Sequence, residues 1–215
     1  MSESILRVGD VEMSQVAKEL AKKDKTLGQF IKKVGPCTLA GPSHDSHFES
    51  IVFAVIAQQL STKAADTITA RLLDLVGRPL EPKKVLKFTP EQLRTVGLSG
   101  AKSRTILEFA HAVKTGELDL LALEHETDDL VLAVLTKLWG IGRWTAEMAM
   151  IFRLGRLDVW PVGDLAVRKG FARIYGLDKA PSEKEIENLA DHLRPHRSVV
   201  AWYCWRATDE DSATW

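Results

Sequence analysis

Residues Leu135–Ala146 read LTKLWGIGRWTA, and no other segment constrains the fold of the chain as strongly. A helical run enters at Leu130, stops at Gly140-Ile141-Gly142 and resumes as Arg143 to Phe152. Two glycines flanking one aliphatic residue make a tight turn, with Ile141 placed to plug the gap between two helices. A bare Gly-x-Gly would suit an ordinary connection with glycine at a helix C-cap. Here Leu135, Leu138, the turn and the Thr145-Ala146 start of the next helix occur together, and the pattern predicts a helical hairpin.

Such a hairpin has a chemistry. The N-terminus of its second helix offers unpaired N–H groups and a positive dipole end to an anion. Without a side chain at Gly140 or Gly142, a phosphate oxygen can approach the backbone. The contact would position a nucleic-acid backbone without reading its sequence. The charge balance gives only weak guidance. Lys plus Arg and Asp plus Glu are 29 each, a net charge of zero, whereas phosphate binding needs cations. The balance is uneven along the chain. From Val131 to Arg173 seven basic residues (Lys137, Arg143, Arg153, Arg156, Arg168, Lys169, Arg173) face three acids (Glu147, Asp158, Asp164). All six tryptophans, Trp139, Trp144, Trp160, Trp202, Trp205 and Trp215, also lie after residue 138.

Elsewhere the apolar periodicity is helical almost throughout, which predicts an all-α chain of roughly ten short helices. Capping boxes are expected at Ser46 with Glu49, Thr89 with Gln92 and Ser182 with Glu185. Helix stops are expected at Gly77, Gly97, Gly116, Gly155 and Gly176. The stretch Phe48–Leu60 is apolar on most faces until Gln58 and Gln59, the pattern of a buried central helix. Its polar end is either a helix surfacing or a tip placed where a ligand arrives. With 215 residues and no apolar run of eighteen, nothing is expected to span a membrane. No secretory signal is expected at the N-terminus. Cys37 and Cys204 are the only cysteines, too few for an iron–sulfur cluster or a four-cysteine zinc site. The six histidines show no metal spacing, and a reducing compartment is expected.

After the hairpin comes DVWPVGD, from Asp158 to Asp164, then the helical pattern Leu165–Tyr175. Asp164 stands where a helix N-cap would stand, and Asp158 is a competing acid. Composition does not choose between them.

The hairpin LWGIGRWTA, the segment DVWPVGD and the interval from Trp144 to Asp164 together resemble the helix-hairpin-helix DNA glycosylases, most closely the AlkA-type 3-methyladenine DNA glycosylase II. HFESIVFAVIAQQLSTKAA (His47–Ala65) resembles the family's interface helix and its DNA-intercalating loop, and RPHRSVVAWYCWR (Arg194–Arg206) its last helix. The resemblance runs from about Gly35 to Arg206.

It implies an all-α, two-lobed fold with DNA in a cleft between lobes. The lobes would be about 46–135 and 1–45 with 155–215, with the hairpin at 131–154, all acting as one catalytic unit. It implies a monofunctional enzyme that hydrolyses the N-glycosidic bond of alkylated purines, 3-methyladenine, 7-methylguanine and ethenoadenine among them, in base excision repair. The catalytic acid would be Asp164, which would stabilise positive charge on the sugar or orient water. Bifunctional members carry a lysine immediately before the Thr-Ala of the hairpin. Here Trp144 takes that place, so no lysine nucleophile and no abasic-site lyase activity are expected.

A base pocket is expected from Trp144, Met148, Trp160 and Trp205, since tryptophan faces attract flat cationic purines. Core filling is the competing account of these rings, Trp202 above all. DNA contacts are expected from Gln58, Gln59, Leu60, Gly140, Ile141, Gly142, Arg143 and Thr145, with Gln59 filling the gap left by the flipped base. The carbonyls of Thr136, Leu138 and Ile141 would hold a K⁺ or Na⁺, with no other cofactor required. The expected partner is damaged double-stranded DNA. A monomer is expected, in the cytoplasm or nucleoid of a bacterium or the nucleus of a eukaryote. The chain departs from the bacterial AlkA pattern in three places. It has no room for an N-terminal β-rich domain, Gln59 replaces an apolar wedge, and Gly163 replaces a second acid. The alternatives are an inactive homologue that recognises abasic or distorted DNA, and a hairpin module of another repair protein.

Overall fold

The structure, a computed structural model, describes residues 5–40 and 47–208. The chain divides into two compact units, one formed by Met1–Pro42 with Leu154–Trp215 and the other by Ser43–Arg153. The second is thus inserted into the first along the sequence, and it contains the hairpin segment.

The host unit begins with α1 (Met13–Lys23) and α2 (Lys25–Val34), which share Asp24 as a junction: its carboxylate caps α2 by accepting the N–H of Leu27. The inserted unit follows with α3 (His47–Ala57), α4 (Thr62–Val76), α5 (Pro82–Val85), α6 (Pro90–Arg94), α7 (Gly100–Thr115), α8 (Asp128–Leu135) and α9 (Arg143–Phe152). The host unit resumes with α10 (Leu165–Tyr175), α11 (Glu183–Leu189) and α12 (Arg197–Thr208). Two short 3₁₀ turns, Ala122–His125 and Asp191–Leu193, complete the described elements. The only bridges of β type among the described residues are isolated, Arg7 with Arg156 and Val8 with Val11.

Among the described residues the structure is all-α, as the periodicity predicts, with twelve α-helices against the roughly ten expected. The capping boxes of Thr89 with Gln92 and Ser182 with Glu185 both form, each cap contributing on the order of 1 kcal/mol. The third, at Ser46, lies outside the described residues, as do His44 and Trp215. Gly77, Gly116 and Gly176 end α4, α7 and α10. Gly97 and Gly155 take positive φ a few residues beyond a helix end instead.

In the inserted unit α3 is the central helix, packed against α4, α7 and α9. Phe48, Ile51, Val52, Val55 and Ile56 are buried along it, and Phe48 stacks on Phe109 of α7 with centroids 5.0 Å apart. In the host unit α10 packs on α12 so closely that Gly170 is obligatory. A Cβ there would lie 1.9 Å from the carbonyl oxygen of Cys204. The first helices join this pair through Phe30, edge-on to Tyr203 at 6.4 Å, and through the Tyr203 hydroxyl, which donates to the Gly35 carbonyl at 3.0 Å.

Candidate functional site

In the inserted unit α8 and α9 form the hairpin, with α9 starting and ending at the residues expected. The turn is drawn in by the Ile141 N–H, which donates to the Leu138 carbonyl at 3.2 Å, and the Ile141 side chain is buried. Gly140 has φ +77°, and a Cβ there would meet the Thr105 hydroxyl oxygen at 1.9 Å. Gly140 is therefore required by packing against α7 and by its backbone conformation. Gly142 differs. Nothing lies within 4 Å of its Cβ position, and it is the N-cap of α9 with no side chain on the first-turn N–H groups. Open space at that helix start suits an anion.

The tip of α3 meets this turn. Gln58 donates its side-chain amide to the Gly140 carbonyl at 3.0 Å and to the Thr145 hydroxyl at 2.8 Å. The Gln58 amide and the buried Thr145 hydroxyl hold each other, and their long-range pairing leaves no local trace in the sequence. The Ile141 side chain is the buried plug of the turn. Gln59 has φ +56° and is the one non-glycine residue with positive φ among those described, a conformation that costs a non-glycine residue roughly 1–3 kcal/mol. Leu60 is exposed. Arg143 is exposed and donates Nε–H to the buried Glu147 carboxylate at 2.7 Å.

Two residues of α7 at this site carry no signal in the sequence. Lys102 donates its ammonium to the carbonyls of Ile56 and Gln58, both at 2.7 Å, and burial lowers its pKa. Thr105 abuts Gly140, as described above. Nearby, the Arg104 guanidinium lies 4.1 Å above the ring of the exposed Trp139. Trp144 is half-buried and Met148 buried along α9.

In the host unit the structure separates the two candidate acids. Asp158 is bound on both oxygens by guanidinium groups: Oδ1 accepts the backbone N–H and Nε–H of Arg197 at 3.2 and 2.9 Å. Oδ2 accepts from Arg197 Nη2 and Arg194 Nη1, each at 2.8 Å. Asp164 is half-buried and forms the N-cap of α10, with both capping bonds, from Ala166 and Val167, falling on Oδ1 at 2.8 and 3.0 Å. A tight turn from Pro161 delivers it, and Gly163 beside it is exposed with nothing near its Cβ position.

Trp160 was expected to wall a base pocket. It is 4% exposed, donates its indole N–H to the Ile186 carbonyl at 3.1 Å and packs edge-on to Phe171, so it fills the core of its unit. Trp205 is half-buried on α12. Trp202 lies edge-on to Tyr203 and under the Arg206 guanidinium at 5.5 Å. Both cysteines are buried thiols, and burial pushes Cys37 up to about 11 and Cys204 higher still. No group of three or more His, Cys, Asp or Glu side chains could hold a metal ion among the described residues. No helix among them is long and apolar enough to cross a membrane.

Residues 52–195 match the family described as HhH-GPD superfamily base excision DNA repair protein. The chain belongs to this superfamily. Among its members the chain is 31% identical to the "Alkylbase DNA glycosidase-like protein mag2" of Schizosaccharomyces pombe, over 92% of this chain and 94% of the relative. It is 32% identical to the "DNA-3-methyladenine glycosylase 1" of the same organism, over 75% and 72%. The solved structure of S. pombe 3-methyladenine DNA glycosylase (Mag1) in complex with abasic DNA superposes with a TM-score of 0.84 at 28% identity, covering 91% of this chain and 97% of that one. The HhH-GPD match takes in the hairpin and Asp164 together, and the fold is that of the helix-hairpin-helix glycosylases.

Proposed function

We propose that the chain is a monofunctional DNA glycosylase that hydrolyses the N-glycosidic bond of alkylated purines in duplex DNA. The observation that carries the reading is the contrast between the two acids. Asp158 is neutralised by Arg194 and Arg197, whereas Asp164 caps α10 through Oδ1, at the position the family pattern gives its catalytic carboxylate. Breaking the glycosidic bond builds positive charge on the sugar, and a fixed carboxylate stabilises it or orients the attacking water. A cationic alkylated base leaves readily and needs little acid assistance.

DNA would be gripped by the N–H groups at the start of α9, beside Gly142 and Arg143, and Gln59 would fill the space vacated by the flipped nucleotide. The strained backbone of Gln59 supports that role, since strain is characteristic of functional positions. Two features favour water over a lysine nucleophile: Trp144 stands before Thr145-Ala146, and the ammonium of Lys102 is engaged by two carbonyls. The turn suits a monovalent cation. Leu138 gives only one lone pair to Ile141, and among the described residues the carbonyls of Thr136 and Ile141 receive no backbone N–H. Those three oxygens would hold K⁺ or Na⁺, which would neutralise a phosphate's charge.

The decisive assay is release of 3-methyladenine and 7-methylguanine from alkylated duplex DNA, with Asp164→Asn as control. A parent protein that binds abasic duplex but releases no base would establish the second reading, a recognition protein. The "-like" in the name of the S. pombe relative gives that reading its weight.

Two further outcomes are expected. Asp158→Asn should lose about 2 kcal/mol of stability, because charge-assisted hydrogen bonds to a buried arginine weaken, while excision per folded molecule stays near that of the parent. Denaturant unfolding alongside the base-release assay checks both halves. Gln59→Ala should weaken binding to abasic duplex roughly tenfold, a part of the unstacking cost that a wedge offsets. Equal affinity of mutant and parent at one fixed salt concentration would transfer the role to Leu60.

A further inference from the structure

We infer that Lys102 and Gln58 act together as a latch that presets Gln59 for lesion recognition, making both of them positioning residues. The inference rests on the reading of this site as a damaged-DNA contact and adds two residues to it.

The C-terminal carbonyls of a helix have no intrahelical donors. At the end of α3 the carbonyls of Ile56 and Gln58 converge on one ammonium, Lys102 Nζ, at 2.7 Å each. The same Gln58 sends its side-chain amide to the Gly140 carbonyl and the Thr145 hydroxyl. Gln58 is thereby fixed through its backbone to α7 and through its side chain to the turn of the hairpin. Gln59 follows it directly and carries the positive φ. Leu60 closes the turn by donating its N–H to the Ala57 carbonyl at 3.1 Å.

A left-handed residue persists only where its neighbours over-determine it, and here the over-determination comes from a cation and an amide. The two anchors connect the wedge to the phosphate-binding turn, so Gln59 keeps a fixed register relative to the start of α9. A preset wedge loses less freedom on binding than a mobile one. The preference for a gapped duplex over an intact one therefore depends on Lys102 even though its ammonium faces protein carbonyls.

A lysine this close to a DNA-binding turn has a competing role as a phosphate contact, and the two roles differ in salt dependence. The test uses the full chain and two duplexes of one sequence, undamaged or carrying a tetrahydrofuran abasic analogue, with affinities measured over a range of salt. Lys102→Met should reduce the preference for the abasic duplex roughly tenfold, to the level of Gln59→Ala. The double variant should lose no more than Gln59→Ala alone, because the latch acts through Gln59. The slope of log affinity against log salt should be unchanged. Gln58→Ala should behave like Lys102→Met, which guards against a folding defect peculiar to one variant.

An additive double loss, or a slope reduced by about one phosphate contact, would make Lys102 a backbone contact and overturn the latch. Hydrogen exchange on the free protein supplies the second readout. Exchange at residues 58–60 should quicken in Lys102→Met, and unchanged protection there would also overturn it. If exchange quickens while the parent itself shows no preference for the abasic duplex, the wedge assignment fails, and the latch has no part in recognition.

Discussion

Asp164→Asn should slow base release by roughly 10²-fold or more while leaving affinity for duplex DNA equal or slightly higher. Both halves of this result follow from the position of the residue. The carboxylate is held by the N–H groups of Ala166 and Val167 on Oδ1. Asparagine accepts the same pair of hydrogen bonds and is among the best N-cap residues, so α10 keeps its start and the variant keeps its fold. The negative charge is lost. A fixed negative charge facing an oxocarbenium-like sugar is worth several kcal/mol in the transition state, and the same charge repels phosphates in the ground state.

The loss should be graded by substrate. Cationic 3-methyladenine and 7-methylguanine depart more readily unaided, so they should suffer less than neutral ethenoadenine. Asp164→Ala would blur the experiment, since loss of the cap adds on the order of 1 kcal/mol of instability. If Asp158→Asn abolished release while Asp164→Asn left it intact, the assignment would be reversed, and the arginine-bound acid would be the catalyst.

Gly170→Ala should produce the largest loss of stability from any single methyl group, about 3 kcal/mol or more. Overpacking in a core commonly costs about 1–3 kcal/mol when side chains can move aside. Here the obstacle is the backbone of α12: the added carbon would meet the Cys204 carbonyl oxygen at 1.9 Å, its carbonyl carbon at 2.5 Å and its Cα at 2.7 Å. Relief requires α10 and α12 to separate, which would open the core around Val167, Phe171 and Val200. Denaturant unfolding measures the effect. Gly100→Ala is the control, because nothing lies within 4 Å of that position and the change should fall within about 0.5 kcal/mol of neutral. A Gly170→Ala protein as stable as the control would mean that the two helices are less tightly apposed than the structure has them.

What the sequence made legible was local. The hairpin turn, the limits of α9 and two capping boxes each depend on residues within four positions of one another, where composition and period carry the signal. Residues brought together across long stretches of chain were not legible. Asp158 and Asp164 look equally available in DVWPVGD until Arg194 and Arg197 arrive on the former from 36 and 39 residues away. Gln58 reads as a surface amide until its partners, 82 and 87 residues on, appear. Gly140 fits the rule of a glycine kept bare for a ligand, and only Thr105 shows that packing also demands it. Trp160 adjoins the candidate acid in sequence, yet its indole is directed into the core, because Ile186 supplies a hydrogen-bond acceptor there.

The insertion of one unit within another also has a consequence for the order of synthesis. The N-terminal helices bury Val16, Leu20, Leu27 and Ile31, and Tyr203, the residue that locks onto Phe30 and Gly35, is encoded after the whole of Ser43–Arg153. At translation rates of roughly 5–20 residues per second, the ribosome takes on the order of ten seconds to cross that interval. Through it the growing chain carries two amphipathic helices that pack on each other but lack α10 and α12 to cover their remaining apolar faces, so a pause near residue 153 would lengthen their exposure to chaperones and proteases.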